Sequence, residues 1–154
     1  MAMSLTSDAF EEDASIPREH TCQGTDRSPP LRWRGAPAGT RSFAIVCDDP
    51  DAPRGTFGHW AIYDIPAEVA HLETGHSRPD RPSPYPEGAN DLGWASWGGP
   101  CPPVGHGPHR YRFRVLALGV DRLGLGPGTK IAEVERAARA HALGEAHLTG
   151  TYER

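Results

Sequence analysis

A chain of 154 residues is long enough to bury a hydrophobic core and fits a single domain spanning residues 1–154. Its 37% hydrophobic and 23% charged residues exclude an intrinsically disordered chain, and 18 glycines with 16 prolines in no repeating period indicate a loop-rich domain rather than a collagen-like or low-complexity one. A formal net charge of −4 with no basic block leaves no electrostatic footprint for nucleic acid, and no apolar run approaches the ~18 residues of a membrane span.

In chain order, the first strong element runs from Ser42 to Asp48. It is apolar, rich in β-formers and bounded by Gly39 and the Asp49-Pro50 step. This pattern predicts a buried strand, and the run from His59 to Ile65, ended by Pro66, predicts a second. Residues 76–108 carry repeated Pro and Gly and read as irregular; a loop of that length inside one domain is usually functional or mobile. From His109 to Leu118 the residues His109, Tyr111, Phe113 and Val115 alternate with Arg110, Arg112 and Arg114. One face of this strand should be buried and the other wet or ion-paired. A helix is expected from Lys130 to Leu143, with Thr129 as N-cap, Gly144 as the stop, and Ile131, Val134, Ala138 and Ala142 as its apolar stripe. Weaker alternation from Glu145 to Glu153 groups Ala146, Leu148, Gly150 and Tyr152 in a terminal strand. The fold class is therefore mainly β, with one packed helix near the C-terminus.

Cys22, Cys47 and Cys101 are odd in number and far apart, with no CxxC pair. The chain starts Met1-Ala-Met-Ser without the basic and apolar regions of a secretory signal. Together these predict three reduced thiols, no intramolecular disulfide and a cytoplasmic protein.

Two stiff segments carry the candidate chemistry. Asp49-Pro-Asp-Ala-Pro-Arg-Gly-Thr-Phe-Gly-His-Trp60 contains two prolines, each fixing its own φ and holding the preceding residue extended. Gly98-Gly-Pro-Cys-Pro-Pro-Val-Gly-His-Gly-Pro-His-Arg-Tyr111 is the second. Segments this stiff hold side chains in defined directions. His59 and His109 each stand at the start of an expected strand beside one of them. Were those strand ends to converge, two imidazoles and the Asp49 carboxylate would face one small volume, with N–H groups for anionic oxygen and a carboxylate to orient a ring. From residue types alone, the same histidines could instead satisfy buried loop carbonyls.

With Ile16-Pro17, Thr21-Cys22-Gln23-Gly24, Ser28-Pro-Pro-Leu31 before Trp33, Gly88-Ala-Asn90-Asp91 and Gly150-Thr-Tyr152, the two segments resemble the signature of the phosphatidylethanolamine-binding protein (PEBP) family, especially its bacterial Raf-kinase-inhibitor-like branch. The resemblance spans nearly the whole chain. His20, Trp97 and Val104 depart from the usual aromatic, Tyr and basic residues, and Trp97 and Val104 stand where they would reshape the pocket rim. The resemblance implies a large antiparallel sheet packed on a smaller one, and an anion pocket at Asp49, His59, Gly99, Pro103, His109 and Tyr111. It also implies a small anion such as phosphate or phosphoethanolamine, the phospholipid head group, as ligand. A protein partner and a homodimer both stay open.

Asp49 would repel a phosphate unless the ligand or Asp49 carried a proton, or cationic histidines stood between the charges. A phosphomonoester, with its second pKa near ~6, can supply that proton. Asp51 reads as a structural turn residue with Arg110 as partner, and Trp60 as core. The main alternative is an enzyme using Asp49, His59 and His109 for acid–base chemistry on a small metabolite. A Cys101 nucleophile beside His109 is a weaker candidate. A metal site at His106-Gly-Pro-His109 is disfavoured because the extended Pro108 step should turn the rings apart. No metal or other cofactor is expected, and no Gly-x-Ser-x-Gly elbow exists for serine hydrolysis.

Overall fold

The computed structural model describes residues 2–78, 80–81 and 83–154. Strands β1 (Ser4–Thr6), β2 (Leu31–Arg34) and β5 (His71–Leu72) form a three-stranded sheet in the order β1-β2-β5. Strands β3 (Ser42–Asp49), β4 (Phe57–Pro66), β6 (His109–Leu118) and β7 (Ala142–Tyr152) form a four-stranded sheet in the order β4-β3-β6-β7. Every pairing between these strands is antiparallel. The helix α1 (Ile131–Ala140) lies on the outer face of the larger sheet.

Period-two alternation explains why both faces of the larger sheet are buried. Phe43, Ile45 and Cys47 of β3 face the smaller sheet, joining Leu31, Trp33, Trp60, Phe113 and Leu148 in one core. Ala44 and Val46 face the other way and pack with Ala61, Leu116, Ile131, Val134 and Ala138 beneath α1. The arginines of β6 end in ion pairs, as their alternation predicts. Arg112 and Arg114 both donate to Asp48 on neighbouring β3, at 3.0 and 2.9 Å, and Arg114 also reaches Glu135 of α1 at 3.0 Å.

The helix is shorter than its sequence pattern suggests. It begins at Ile131, with Lys130 rather than Thr129 at the cap position; the Thr129 hydroxyl donates instead to the Gly126 carbonyl at 2.7 Å. It ends at Ala140, and Ala142 and Gly144 belong to β7. Gly144 is not a helix stop: a Cβ there would lie 2.9 Å from Pro37 Cγ, so close packing on the strand accounts for the glycine. Strands β1, β2 and β5 are too short to leave a strong periodic signal in the sequence.

The irregular segment from 76 to 108 is tied down at many points. Gly88 donates its N–H to Ala61 O, Ala89 to Thr129 O and Gly98 to His59 O. The Asn90 carboxamide donates to Ser96 O and accepts from the N–H groups of Leu92, Gly93 and Trp94. Trp97 is a core residue, not a rim residue: it stacks on Phe113, meets Trp60 edge-on and donates its indole N–H to His20 O. Trp94 and Val104 remain exposed, at 44% and 77%.

Candidate functional site

The ends of β3, β4 and β6 bring the candidate residues together. On β6, His109, Tyr111 and Phe113 take the inner face and the arginines the outer one. On β3 the same alternation turns Asp48 outward to its arginines and Asp49 inward. His59 would point to the wrong face if β4 were regular. Cys47 pairs with Trp60 but Asp48 pairs with Gly58, so His59 is an extra residue on β4. Such a bulge re-aims a side chain. Gly58 and Ala61 therefore face α1, whereas His59 and Trp60 both face inward.

Asp49 and His109 form the centre of the site. Their side chains are 4% and 2% exposed, and His109 Nδ1–H donates to Asp49 Oδ2 at 2.6 Å. The other carboxylate oxygen of Asp49 accepts the Asp51 N–H at 2.7 Å, which closes an Asx-type turn. Asp51 itself makes two side-chain bonds to Arg110, at 2.8 and 3.0 Å, and also accepts the Arg110 N–H. The guanidinium holds its carboxyl pKa down to about 2. Asp51 thus fastens the hairpin to β6, the structural role its sequence position suggests.

His59 Nδ1 lies 2.6 Å from the Gly98 carbonyl oxygen. A carbonyl can only accept, so Nδ1 carries the proton. Burial pushes the His59 pKa down despite this bond and the nearby Asp49 carboxylate. The neutral ring then presents Nε2 as a bare acceptor, not as the N–H donor expected from the sequence. Tyr111 meets the same ring edge-on at 5.2 Å, and burial holds its phenol well above the ordinary range, so its hydroxyl keeps its proton. Phe57 lies 5.0 Å from the same ring and lines a separate cavity of about 410 Å3 with residues 52–56 and Asp91.

Gly99 and Pro103 belong to the loop beside these strands. The Gly99 N–H donates to Asp26 Oδ1 at 2.9 Å, and a Cβ at Gly99 would lie 2.2 Å from His20 O and 2.3 Å from that same carboxylate oxygen. Only glycine fits there. Sequence reading missed Asp26, which sits at φ 55° and whose pKa burial raises. It also missed Glu87, a buried carboxyl that accepts from Trp60 Nε1 at 2.7 Å and bonds the Ser77 hydroxyl. Neither residue carries a local pattern that would single it out.

Two further expectations are overturned. Cys22 and Cys101 form a disulfide, leaving Cys47 as the free cysteine, so the chain does not hold three separate thiols. The backbone prepares this pairing, for the Cys22 N–H donates to Pro100 O at 3.1 Å. A sulfur engaged in this bridge is no nucleophile, which removes the Cys101 thiol mechanism. Nor does Pro108 turn His106 away from His109: His106 Nδ1 approaches His109 Nε2 to 2.6 Å. Gly105 and Gly107, at φ 76° and 85°, reverse the chain enough to fold the ring back.

Comparison with known proteins agrees with this architecture. The phosphatidylethanolamine-binding protein family model matches residues 6–153. A UPF0098 protein from Aquifex aeolicus is 45% identical over 152 residues, covering 99% of this chain and 89% of its own length. Another, from Methanothermobacter thermautotrophicus, is 43% identical over 153 residues, covering 99% of both. The crystal structure of Escherichia coli YbcL, described as a new member of the mammalian PEBP family, superposes with a TM-score of 0.94 at 34% identity, covering 100% of this chain and 99% of that one. The chain belongs to the phosphatidylethanolamine-binding protein family.

Proposed function

We propose that this protein binds a small phosphate-bearing ligand, such as inorganic phosphate or a phosphoethanolamine head group, where β3, β4 and β6 end. The observation that carries this reading is the buried Asp49–His109 contact at 2.6 Å, with His59 turned toward the same face by a bulge. Asp49 has both oxygens engaged by this chain, so its role is to orient His109 rather than to meet the ligand. His109 lies between that carboxylate and an incoming anion, which eases the repulsion that Asp49 alone would cause. His59 Nε2, a bare acceptor beside the protonated Tyr111 hydroxyl, suits a ligand that brings a proton of its own. A monoprotonated phosphomonoester and the ammonium of phosphoethanolamine both do so.

Calorimetric titration with phosphate and phosphoethanolamine tests this. His59→Ala, which removes the acceptor for the ligand's proton, and His109→Ala, which uncovers the Asp49 carboxylate, should each weaken binding by roughly 1.5–3 kcal/mol, the scale of an interaction with a charged group. His147→Ala, on an exposed part of β7, should not. Absence of binding, or equal affinity in all four proteins, would move the site elsewhere.

The same Asp49–His109 contact also favours a second reading, in which His59, His109 and Asp49 perform acid–base chemistry on a small metabolite. Turnover of a bound compound, lost in His109→Ala, would establish it. The Cys22–Cys101 bridge supports an oxidising compartment rather than the cytoplasm expected from the sequence, since such bonds persist where thiols are not kept reduced.

A further inference from the structure

We propose that His106 is the anion-contacting residue of this pocket and that it acts with His109 as a hydrogen-bonded pair that takes up one proton when an anion binds. The proposal rests on the anion-pocket reading and names the atom that meets the ligand.

Both ring nitrogens of His109 are engaged. Nδ1–H donates to Asp49, and the outward Nε2 lies 2.6 Å from His106 Nδ1, with the two rings edge-on at 4.8 Å. An anion therefore meets His106 before it can meet His109. His106 is exposed, whereas His109 is buried. The tight approach is built by the backbone: the His106 N–H donates to Pro103 O at 3.1 Å and the Gly105 N–H to Arg154 O at 3.0 Å.

Counting protons gives the chemistry. Four ring nitrogens are arranged in line from Asp49 outward, and a neutral pair carries two protons. One is held between His109 Nδ1 and Asp49, and the other must lie between the rings, because two lone pairs cannot face each other at this distance. His106 Nε2 is then bare and repels an anion. A third proton converts the pair to a single cation, completes the chain of hydrogen bonds and places an N–H on His106 Nε2, where an anion can accept it. Asp49 stabilises that cation from the inner end. The charged and titratable groups around the pair are Asp49 of β3, Asp51 of the hairpin with its partner Arg110, His59 of β4, Tyr111 of β6 and the terminal Arg154, which donates to Pro102 O. The two aspartates are matched by the two arginines, so the added proton is not opposed by a net positive surround.

Isothermal titration in two buffers of different ionisation enthalpy reads both parts. Sulfate is the principal probe: it stays fully ionised at neutral pH, so any proton taken up goes to the protein. The wild-type protein should bind sulfate with net proton uptake. His106→Ala and His106→Gln should weaken binding about tenfold or more and abolish the uptake. Affinity that is unchanged or raised in both variants, or wild-type binding without proton uptake, overturns the proposal. Inorganic phosphate separates the two readings. If phosphate binding is lost in His59→Ala but unchanged in His106→Ala, the pocket stands and this inference falls. If the wild-type protein binds phosphate but not sulfate, the pocket stands and this inference falls; if it binds neither anion, both fall.

Discussion

Cys22 and Cys101, 79 positions apart in sequence, are joined by a disulfide that clamps the N-terminal segment to the loop beside His109. The same region is held by a second tie, the contact between the Tyr152 hydroxyl and the Gln23 side chain. The loop itself is also fastened to the C-terminus, where Arg154 Nε–H donates to Pro102 O at 2.7 Å and the Gly105 N–H donates to Arg154 O at 3.0 Å.

Alkylation of the unfolded protein without reductant should therefore modify one cysteine, Cys47, and all three after reduction; mass spectrometry distinguishes these outcomes. Replacing both Cys22 and Cys101 by Ser should lower stability by about 2–5 kcal/mol, with the chain-entropy expectation for so long a loop near the upper end of that range. A loss below roughly 0.5 kcal/mol, the scale of a neutral surface change, would mean that the bridge does not constrain the unfolded chain.

The two acidic clusters on β3 and its hairpin should differ sharply. Asp48 is buried and accepts from both Arg112 and Arg114, and Asp48→Ala leaves buried Arg114 with Glu135 alone, so it should cost about 1.5–3 kcal/mol, the scale of a lost hydrogen bond to a charged group. The Asp51–Arg110 pair is largely exposed on its arginine side, and disrupting it by Arg110→Ala should cost about 1 kcal/mol or less. Urea denaturation of the two variants makes the comparison, and equal losses would contradict it.

On the helix, Val134 is fully buried beneath α1 whereas Glu133 faces solvent. Val134→Ala should lose about 1–3 kcal/mol, as buried truncations do, and Glu133→Ala roughly 0.5 kcal/mol or less. Thermal unfolding of both tests the assignment of the packed face.

Stability should also depend on pH. Burial lowers the pKa of His20, His59 and His76. As pH falls, the unfolded chain takes up these protons before the folded one, so the stabilisation is present above the ordinary histidine value and is lost as pH drops below it. The urea midpoint should decline between about pH 7.5 and about pH 6, bracketing the unperturbed histidine value of ~6.5. Asp26 and Glu87, whose pKa values burial raises, act in the opposite direction at lower pH, where carboxyls titrate. A midpoint that rises on acidification across the upper window would show that these rings are not held neutral.

The alternation of β6 is legible in the sequence because a strand repeats every two residues: seven residues suffice to show which side chains are buried and which arginines need partners. The stiffness of the 49–60 and 98–111 segments is equally local, since each proline constrains only itself and its predecessor. From such features the mainly β class, the larger strands and the helix could be placed. Asp49, His59, His109 and Tyr111 could be named as candidates with the help of the family resemblance.

What the tertiary structure decided are relationships between residues distant in sequence or set by backbone register. Three cysteines do not reveal which two will meet. The inward turn of His59 depends on an extra residue in β4 opposite Cys47 and Asp48, and no property of His59 itself signals it. The protonated nitrogen of His59 follows from a carbonyl 39 positions away, and Gly99 must be glycine because His20 and Asp26 crowd it. His106 reaches His109 only because Gly105 and Gly107 adopt left-handed backbone angles that override the extended bias of the Pro108 step. Local periodicity assigns a residue to a face, but sheet register and loop closure determine which groups share a hydrogen bond, and the chemistry proposed for the candidate site depends on those bonds.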